Sequence, residues 1–458
     1  MEHGNGLSDS FAVMFFRLLW SYGYLGAIAW IVVQQILRPI FFSPLSKYPG
    51  PFLASFSHLW QLNVDRQRRR HLVYLAAHQK YGKVFRDGPN SLSFCDGNAM
   101  QKIYGTGKNA FARSGVGVFP TPGIDPQHPP VFQSVPAEVH TRSRRMVKKA
   151  YDMSSILSME GQIDAVVLAL QRKLDEEVAN ERFFDLTRWI NYFTLDALSD
   201  LAHGQAFGML ETGQDVHQIM AGLQEGHMFF AILAAYPWIS KILFSTPLRH
   251  VFKLPENNGL GLVMKMANNI IEHRYCHGSE KKDLLGAFIE AKSPDGEMIT
   301  GSQVLGEVVA TLVAGADTTA NSICGIIGFL LQQPHTLIKL QQEIDNAYRQ
   351  GLLSYPVPTY TECAKLPYLD AVVCEALRLA PSVGGVFTRT IPAEGAEILP
   401  GQRVPGGTTV GVNNWVFGRD EEVFGADAAM FKPERWLDVT TRKKLKEYDF
   451  AFGHGSRM

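Results

Sequence analysis

Ala314-Gly315-Ala316-Asp317-Thr318-Thr319 sets small and polar side chains in a stretch whose flanks, 308–314 and 323–331, are apolar nearly all round. Gly315 lets another body approach the backbone. A threonine hydroxyl bonded to the carbonyl one turn back can open a helix locally and admit water. An acid beside a hydroxyl in such a place, Asp317 beside Thr318, is suited to relaying protons. The competing reading is a polar notch satisfied by a neighbouring helix. Glu375 and Arg378, three apart on a helical stretch, share a face, although Glu-x-x-Arg arises about once by chance in a chain of this size. Phe431-Lys432-Pro433-Glu434-Arg435-Trp436 offers a second guanidinium. With a buried Glu375 it would form a locked network; otherwise it is a turn anchored by its tryptophan. Phe452-Gly453-His454-Gly455-Ser456-Arg457-Met458 spaces two glycines for a tight backbone loop and holds one arginine for an anion. A dinucleotide fingerprint is rejected there, because no strand–helix context surrounds the Gly-x-Gly.

These residues need a scaffold. Thr300-Gly301-Ser302-Gln303 reads as a capping box and Pro334 as a stop, so 301–333 forms one helix, about 50 Å long at 1.5 Å per residue and buried on every side. Helical spacing of apolar residues recurs at 163–174, 184–201, 262–271 and 366–379, with short extended stretches at 84–86, 92–94 and 386–390. The expected body is mainly α with small β-sheets. Segments 115–136 and 228–248, the first rich in Pro and Gly and the second aromatic and broken by Pro, read as connections or lids.

The 458 residues are 46% apolar and 19% charged, with 44 basic side chains balanced by 44 acidic ones. That composition speaks against extended disorder and against a nucleic-acid-coating protein. Five cysteines without CxxC spacing argue against a disulfide framework or a zinc ribbon and fit a reducing compartment. His273, Cys276 and His277 share one helical turn, but zinc normally takes four ligands and no matching cluster exists elsewhere. After a short N-terminal segment, 1–17, residues 18–37 carry no charge and are long enough to cross a hydrocarbon core of about 30 Å. No basic region precedes them and no small-x-small site follows, so they read as an uncleaved transmembrane anchor. Arg38 and Lys47 follow the span while residues 1–10 hold no Lys or Arg, which puts the body in the cytosol. Residues 38–51 form a proline-rich linker ending in Tyr48-Pro49-Gly50-Pro51, and 52–458 form one large domain.

Taken in order, the four motifs resemble the signature set of the cytochrome P-450 haem-thiolate monooxygenases. The proline elbow and Lys80-Tyr81-Gly82 extend the resemblance, of microsomal fungal type, over essentially the whole chain. It implies a P-450 fold, incomplete at the C-terminus, behind an N-terminal membrane helix, with haem b between the long helix and a proximal loop. It also implies electrons from NADPH through a flavoprotein reductase and insertion of one atom of O2 into a hydrophobic small molecule, as in secondary-metabolite biosynthesis. The location implied is the endoplasmic reticulum membrane, with no nucleic-acid partner. By the same resemblance Asp317 and Thr318 deliver protons, Ala314 and Gly315 leave room above the iron, and Glu375, Arg378 and Arg435 form a structural network. His140, Arg144, Arg389 and Arg457 hold the haem propionates, and Phe452, Gly453 and Gly455 shape the haem loop. Phe119, Phe132, Phe229, Phe230, Val313 and Val386 face substrate. Basic runs at 142–149 and 442–446 meet the reductase, and Arg66, Arg68, Arg69 and Arg70 meet lipid head groups. In this family the iron-ligating cysteine stands two residues after the loop arginine, so here it is expected beyond Met458, with no metal ligand inside 1–458. The chain as it stands is then expected to be inactive; the alternative is a truncated, non-catalytic membrane-anchored protein that retains part of the fold.

Overall fold

The computed structural model describes residues 24–30, 32–107, 110–115, 129–181, 183–243, 255–257, 259–278, 281–293 and 296–457. Its first element is a helix, Tyr24–Phe42, of 19 residues, long and apolar enough to cross a membrane. Residues 18–23 of the expected anchor lie outside the described residues. The helix does not stop at residue 37. It runs on through Pro39, and over Val33–Phe42 it adopts the wider π-helical winding. A proline ring strikes the carbonyl one α-turn back, and wider winding changes which carbonyl lies there. The linker is therefore shorter than expected. Its start is held by the body: buried Arg86 donates to Pro39 O at 3.0 Å, and to Gly88 O and Pro89 O on its own strand end.

In chain order the body uses α1 (Leu59–Arg66), α2 (Arg70–Tyr81), β1 (Val84–Gly88), β2 (Ser91–Phe94), α3 (Gly97–Ile103), β3 (Ala112–Arg113), α4 (Ala137–Tyr151), α5 (Glu160–Ala179), α6 (Leu186–His203), α7 (Ile219–Glu225), α8 (Gly259–His277), α9 (Leu284–Ile289), α10 (Gly301–Gln332), α11 (Pro334–Arg349), α12 (Pro367–Leu379), β4 (Arg389–Thr390), β5 (Ala396–Leu399), β6 (Gln402–Val404), β7 (Thr409–Val412) and α13 (Val439–Lys446). One sheet has the order β1-β2-β7-β4-β3, with β2 and β7 parallel and its other pairs antiparallel; β5 and β6 make a separate hairpin. The segment expected as a loop or lid at 228–248 is largely helical where described, as His227–Ala235 and Pro237–Leu243. Pro237 opens the second helix rather than breaking one, since a helix start needs no donor from that position.

Five buried apolar clusters form among the described residues, two of them large. One is helical and gathers Trp189, Leu195, Val263, Phe288, Val308 and Leu312; the other sits on the sheet around Phe94, Met100, Val410, Phe417, Trp436 and Phe450. α10 begins where the sequence places it: Thr300 Oγ1 accepts from Gln303 N, and Gln303 Oε1 accepts from Thr300 N at 2.8 Å. It is long and apolar enough to cross a membrane, yet α6, α8, α9 and α12 pack around it, which makes it a core helix of the body.

Candidate functional site

α10 stays helical through Ala314–Thr319. Thr318 Oγ1 donates to Ala314 O at 2.8 Å, the bond to the preceding turn that the residue types suggest. Two more hydroxyls converge on the carbonyl of Thr318 itself: Ser322 Oγ and Ser382 Oγ donate to Thr318 O at 2.9 and 2.6 Å, and lie 2.7 Å from each other. Ser382 thereby hangs the segment after α12 on the Thr318 turn, a tie that no motif announced. The Asp317 carboxylate makes no hydrogen bond or ion pair with another described residue, and Asp317 lines a cavity. Gly315 lies on another side of α10, where a Cβ would come within 2.8 Å of Leu198 Cδ2 on α6. The room left by its missing side chain is occupied by that leucine.

A cluster of cations forms where β3, β4, the start of α4 and the last loop meet. Arg113 and Arg389 are register partners across antiparallel strands, an arrangement in which like charges repel. Arg457 donates to Ser134 O at 2.5 Å and Val135 O at 2.7 Å, and Arg144 reaches Ser456 O at 3.4 Å. Arg389 lies over the Tyr104 ring and donates to Thr388 O; Arg113 donates to Phe132 O. Backbone carbonyls orient these guanidiniums, and among the described residues no carboxylate pairs with any of them. The strain shows in their acidities. Burial, then Arg457 and Arg389, brings Arg113 down to about 10, and burial, then Arg457, Arg144 and Arg113, brings buried His140 down to about 4. The resemblance named His140, Arg144, Arg389 and Arg457, and the structure brings them together. It missed Arg113, because only strand register discloses it.

The loop at the end of the chain turns on Gly453 (φ +84°) and Gly455 (φ +77°). A Cβ on Gly455 would lie 2.0 Å from Tyr104 O, so the loop presses directly on the end of α3. The Phe452 ring is 69% exposed. Behind this region Glu375, fully buried, binds Arg378 at 2.7 and 2.8 Å, Arg435 at 2.9 Å, Trp436 Nε1 at 2.8 Å and Lys432 N at 2.9 Å. Arg378 continues to the carbonyls of Gly418, Ala428 and Met430, and Arg435 to Phe424 O and Asp427. Burial alone would raise the Glu375 carboxyl, but hydrogen bonds and charge from Arg378, then the charge of Arg435, hold it below its ordinary value. Both readings of the Arg435 motif hold at once: a turn with a buried tryptophan, whose guanidinium also joins the network.

The family model for cytochrome P450 matches residues 48–458, nine-tenths of the sequence's span. The chain belongs to the cytochrome P450 family. It is 31% identical to a cytochrome P450 monooxygenase of Aspergillus flavus, across 90% of this chain and 82% of that protein. It is 31% identical to the cytochrome P450 monooxygenase gsfF of Penicillium aethiopicum, across 95% and 86%, and 30% identical to pisatin demethylase of Fusarium vanettenii, across 91% and 79%. The fold of this P450, mainly helical with small sheets, is the family's, and its cofactor is haem.

The residues present fit that cofactor. Two propionates partly withdrawn from water need cations or donors, and Arg113, Arg389, Arg457 and His140 converge without an anion of their own. The cysteines stand elsewhere. Burial drives Cys95 up to about 12; Cys324 sits by Thr187, Cys374 by Asp370 and Lys446, Cys363 on a short helix before α12, and Cys276 exposed on α8. The cavity beside α10 measures about 490 Å³ and is lined by Leu195, Met220, Leu223, Leu312, Val313 and Asp317, by Ser382 and Gly384, and by Arg68 of the α1–α2 turn. Of the six substrate-facing expectations Val313 lines it; Phe119 falls outside the described residues, as does the side chain of Phe230.

Proposed function

We propose that this P450 is a membrane-anchored, haem-dependent monooxygenase that oxidises a hydrophobic small molecule of secondary metabolism. Its electrons come from NADPH through a flavoprotein reductase, and its body faces the cytosol from the endoplasmic reticulum. The observation that carries the reading is the carboxylate-free cluster of Arg113, His140, Arg389 and Arg457, a ready-made seat for two propionates. Haem, when bound, supplies activation of O2, one atom entering the substrate and the other leaving as water. The chain's own residues do the rest. Asp317, unpartnered on the cavity wall, holds or releases a proton there, and Thr318 Oγ1, parked on Ala314 O, turns to pass one on. Ala314 and Gly315 keep that turn of α10 slim. The Glu375–Arg378–Arg435 network holds the segments behind the haem, and Phe452, Gly453 and Gly455 shape the loop beside it. The apolar cavity lining takes a lipophile, and the basic residues of α4 and α13 receive the acidic face of the reductase.

The test is titration of the full chain with haemin, followed by absorbance. Saturation at one haem per chain is expected, with affinity at least about tenfold weaker when Arg113→Gln and Arg389→Gln are combined. No uptake, or unchanged affinity in that variant, overturns the propionate seat.

A further inference from the structure

The cavity beside α10 has one wall that a purely lipophilic substrate leaves without use. Arg68, in the turn between α1 and α2, lines it and has no hydrogen bond or ion pair from its guanidinium to any described residue. Its charged neighbours are occupied. Arg70 donates to Asp65 Oδ1 at 2.8 Å and lies over the Tyr74 ring, so those two charges cancel. The His71 ring meets Trp415 at 4.3 Å, and burial, then Arg419, lowers its pKa, which keeps it neutral. Asp317, which also lines the cavity, forms no ion pair with Arg68. Arg68 also holds φ +53°, a left-handed conformation uncommon outside glycine. Arg66 and Arg69, on either side, do not line the cavity.

We propose that Arg68 is a specificity-determining residue, and that the chamber takes an amphiphile whose apolar body packs on Leu195, Met220, Leu223 and Leu312 while its carboxylate pairs with Arg68. One planar guanidinium matches one carboxylate in a two-bond fork. A phosphate dianion would bring a second charge that this wall does not neutralise, in a cavity that Asp317 also lines. The proposal rests on the monooxygenase reading only in treating this cavity as the substrate chamber.

The test uses the detergent-solubilised full chain and two matched probes, 2-naphthaleneacetate and 2-naphthaleneacetamide, titrated calorimetrically without turnover. The acid is expected to bind about tenfold more tightly than the amide, the size of effect a charged hydrogen-bonded pair gives. Arg68→Gln brings the two within about twofold, Arg68→Lys keeps part of the preference, and Arg69→Gln keeps all of it. If Arg68→Gln does not fold, added salt on the unaltered chain must weaken the acid and not the amide. Equal binding of the two probes, binding of neither, or equal loss in Arg69→Gln overturns the proposal. So does a result in which Arg68→Gln weakens adsorption to phosphatidylserine vesicles while no acid preference exists, which would give Arg68 to the lipid surface. Haemin titration of the same samples separates the two claims: an acid preference without haem uptake sinks the monooxygenase reading and leaves Arg68 standing, and the converse result does the reverse.

Discussion

Gly453 and Gly455 sit two residues apart in one loop, both at positive φ, yet their surroundings differ completely. A Cβ at Gly453 meets nothing within 4 Å, whereas at Gly455 it meets the Tyr104 carbonyl at 2.0 Å. Gly453→Ala is therefore expected to cost only the backbone term, about 1 kcal/mol, and Gly455→Ala about 3 kcal/mol, since the end of α3 must also move. Urea denaturation of the two variants checks the difference. Glu375→Gln strips the shared counter-charge from Arg378 and Arg435 in a fully buried site. It is expected to cost about 3–5 kcal/mol, read in the same way, and a loss under about 1 kcal/mol would show the network to be ornamental. At this scale the sequence was readable wherever chemistry is local: Glu375 and Arg378 meet because they are one helical turn apart, and Thr318 finds Ala314 O for the same reason. Arg113 and Ser382 were not readable. Their importance comes from partners brought by strand register and by a loop closing on α10, and neither is encoded in nearby spacing.

Among the elements, α10 is defined by local signals and positioned by distant ones. Its capping box, its length and its proline stop all follow from neighbouring residues, as do the spans of α5 and α8, which contain the periodic stretches at 163–174 and 262–271, and of α6 and α12, which contain 184–201 and 366–379 but for residues 184, 185 and 366 at their starts. The short strands were harder. β7, fully buried, reads as Thr-Val-Gly-Val, too brief for a period, and it becomes a strand because β2 and β4 flank it on both edges. The approach of α6 to α10 depends on Gly315. Gly315→Val is expected to push on Leu198 and destabilise the body by about 2 kcal/mol, and Leu198→Ala added to it is expected to cost less than Leu198→Ala alone. A double-mutant cycle by chemical denaturation measures that coupling; strict additivity would mean the two side chains do not compete for one space.

For the molecule as a whole, pH and salt are the revealing variables. His78, His140 and His203 are each pushed from 6.5 to about 4, chiefly by burial. As pH falls below 6.5 the unfolded chain takes protons that the folded one refuses until about pH 4, so their contribution is whole above 6.5 and fades across that interval. Glu307, which accepts from Val131 N, is raised by burial from 4.5 to about 7 and acts oppositely: its contribution is whole below 4.5 and is lost as pH rises through 7. Three histidines outweigh one glutamate, so the melting temperature is expected to drop between pH 6.5 and 4.5, and Glu307→Gln to steepen the fall. A flat profile would contradict the buried neutral imidazoles. Reversing charge at Lys148 and Lys149, both exposed on α4, is expected to weaken binding of an NADPH-dependent flavoprotein reductase most at low salt, as surface-plasmon measurements at two ionic strengths would show. The wider winding through Pro39 and the grip of Arg86 on its carbonyl carry one more consequence. On the membrane-anchored reading proposed above, the rod and the globule are not joined by a swivel, so the attitude at which the globule would ride above the lipid is dictated from within the chain, and a partner pulling on one would lever the other.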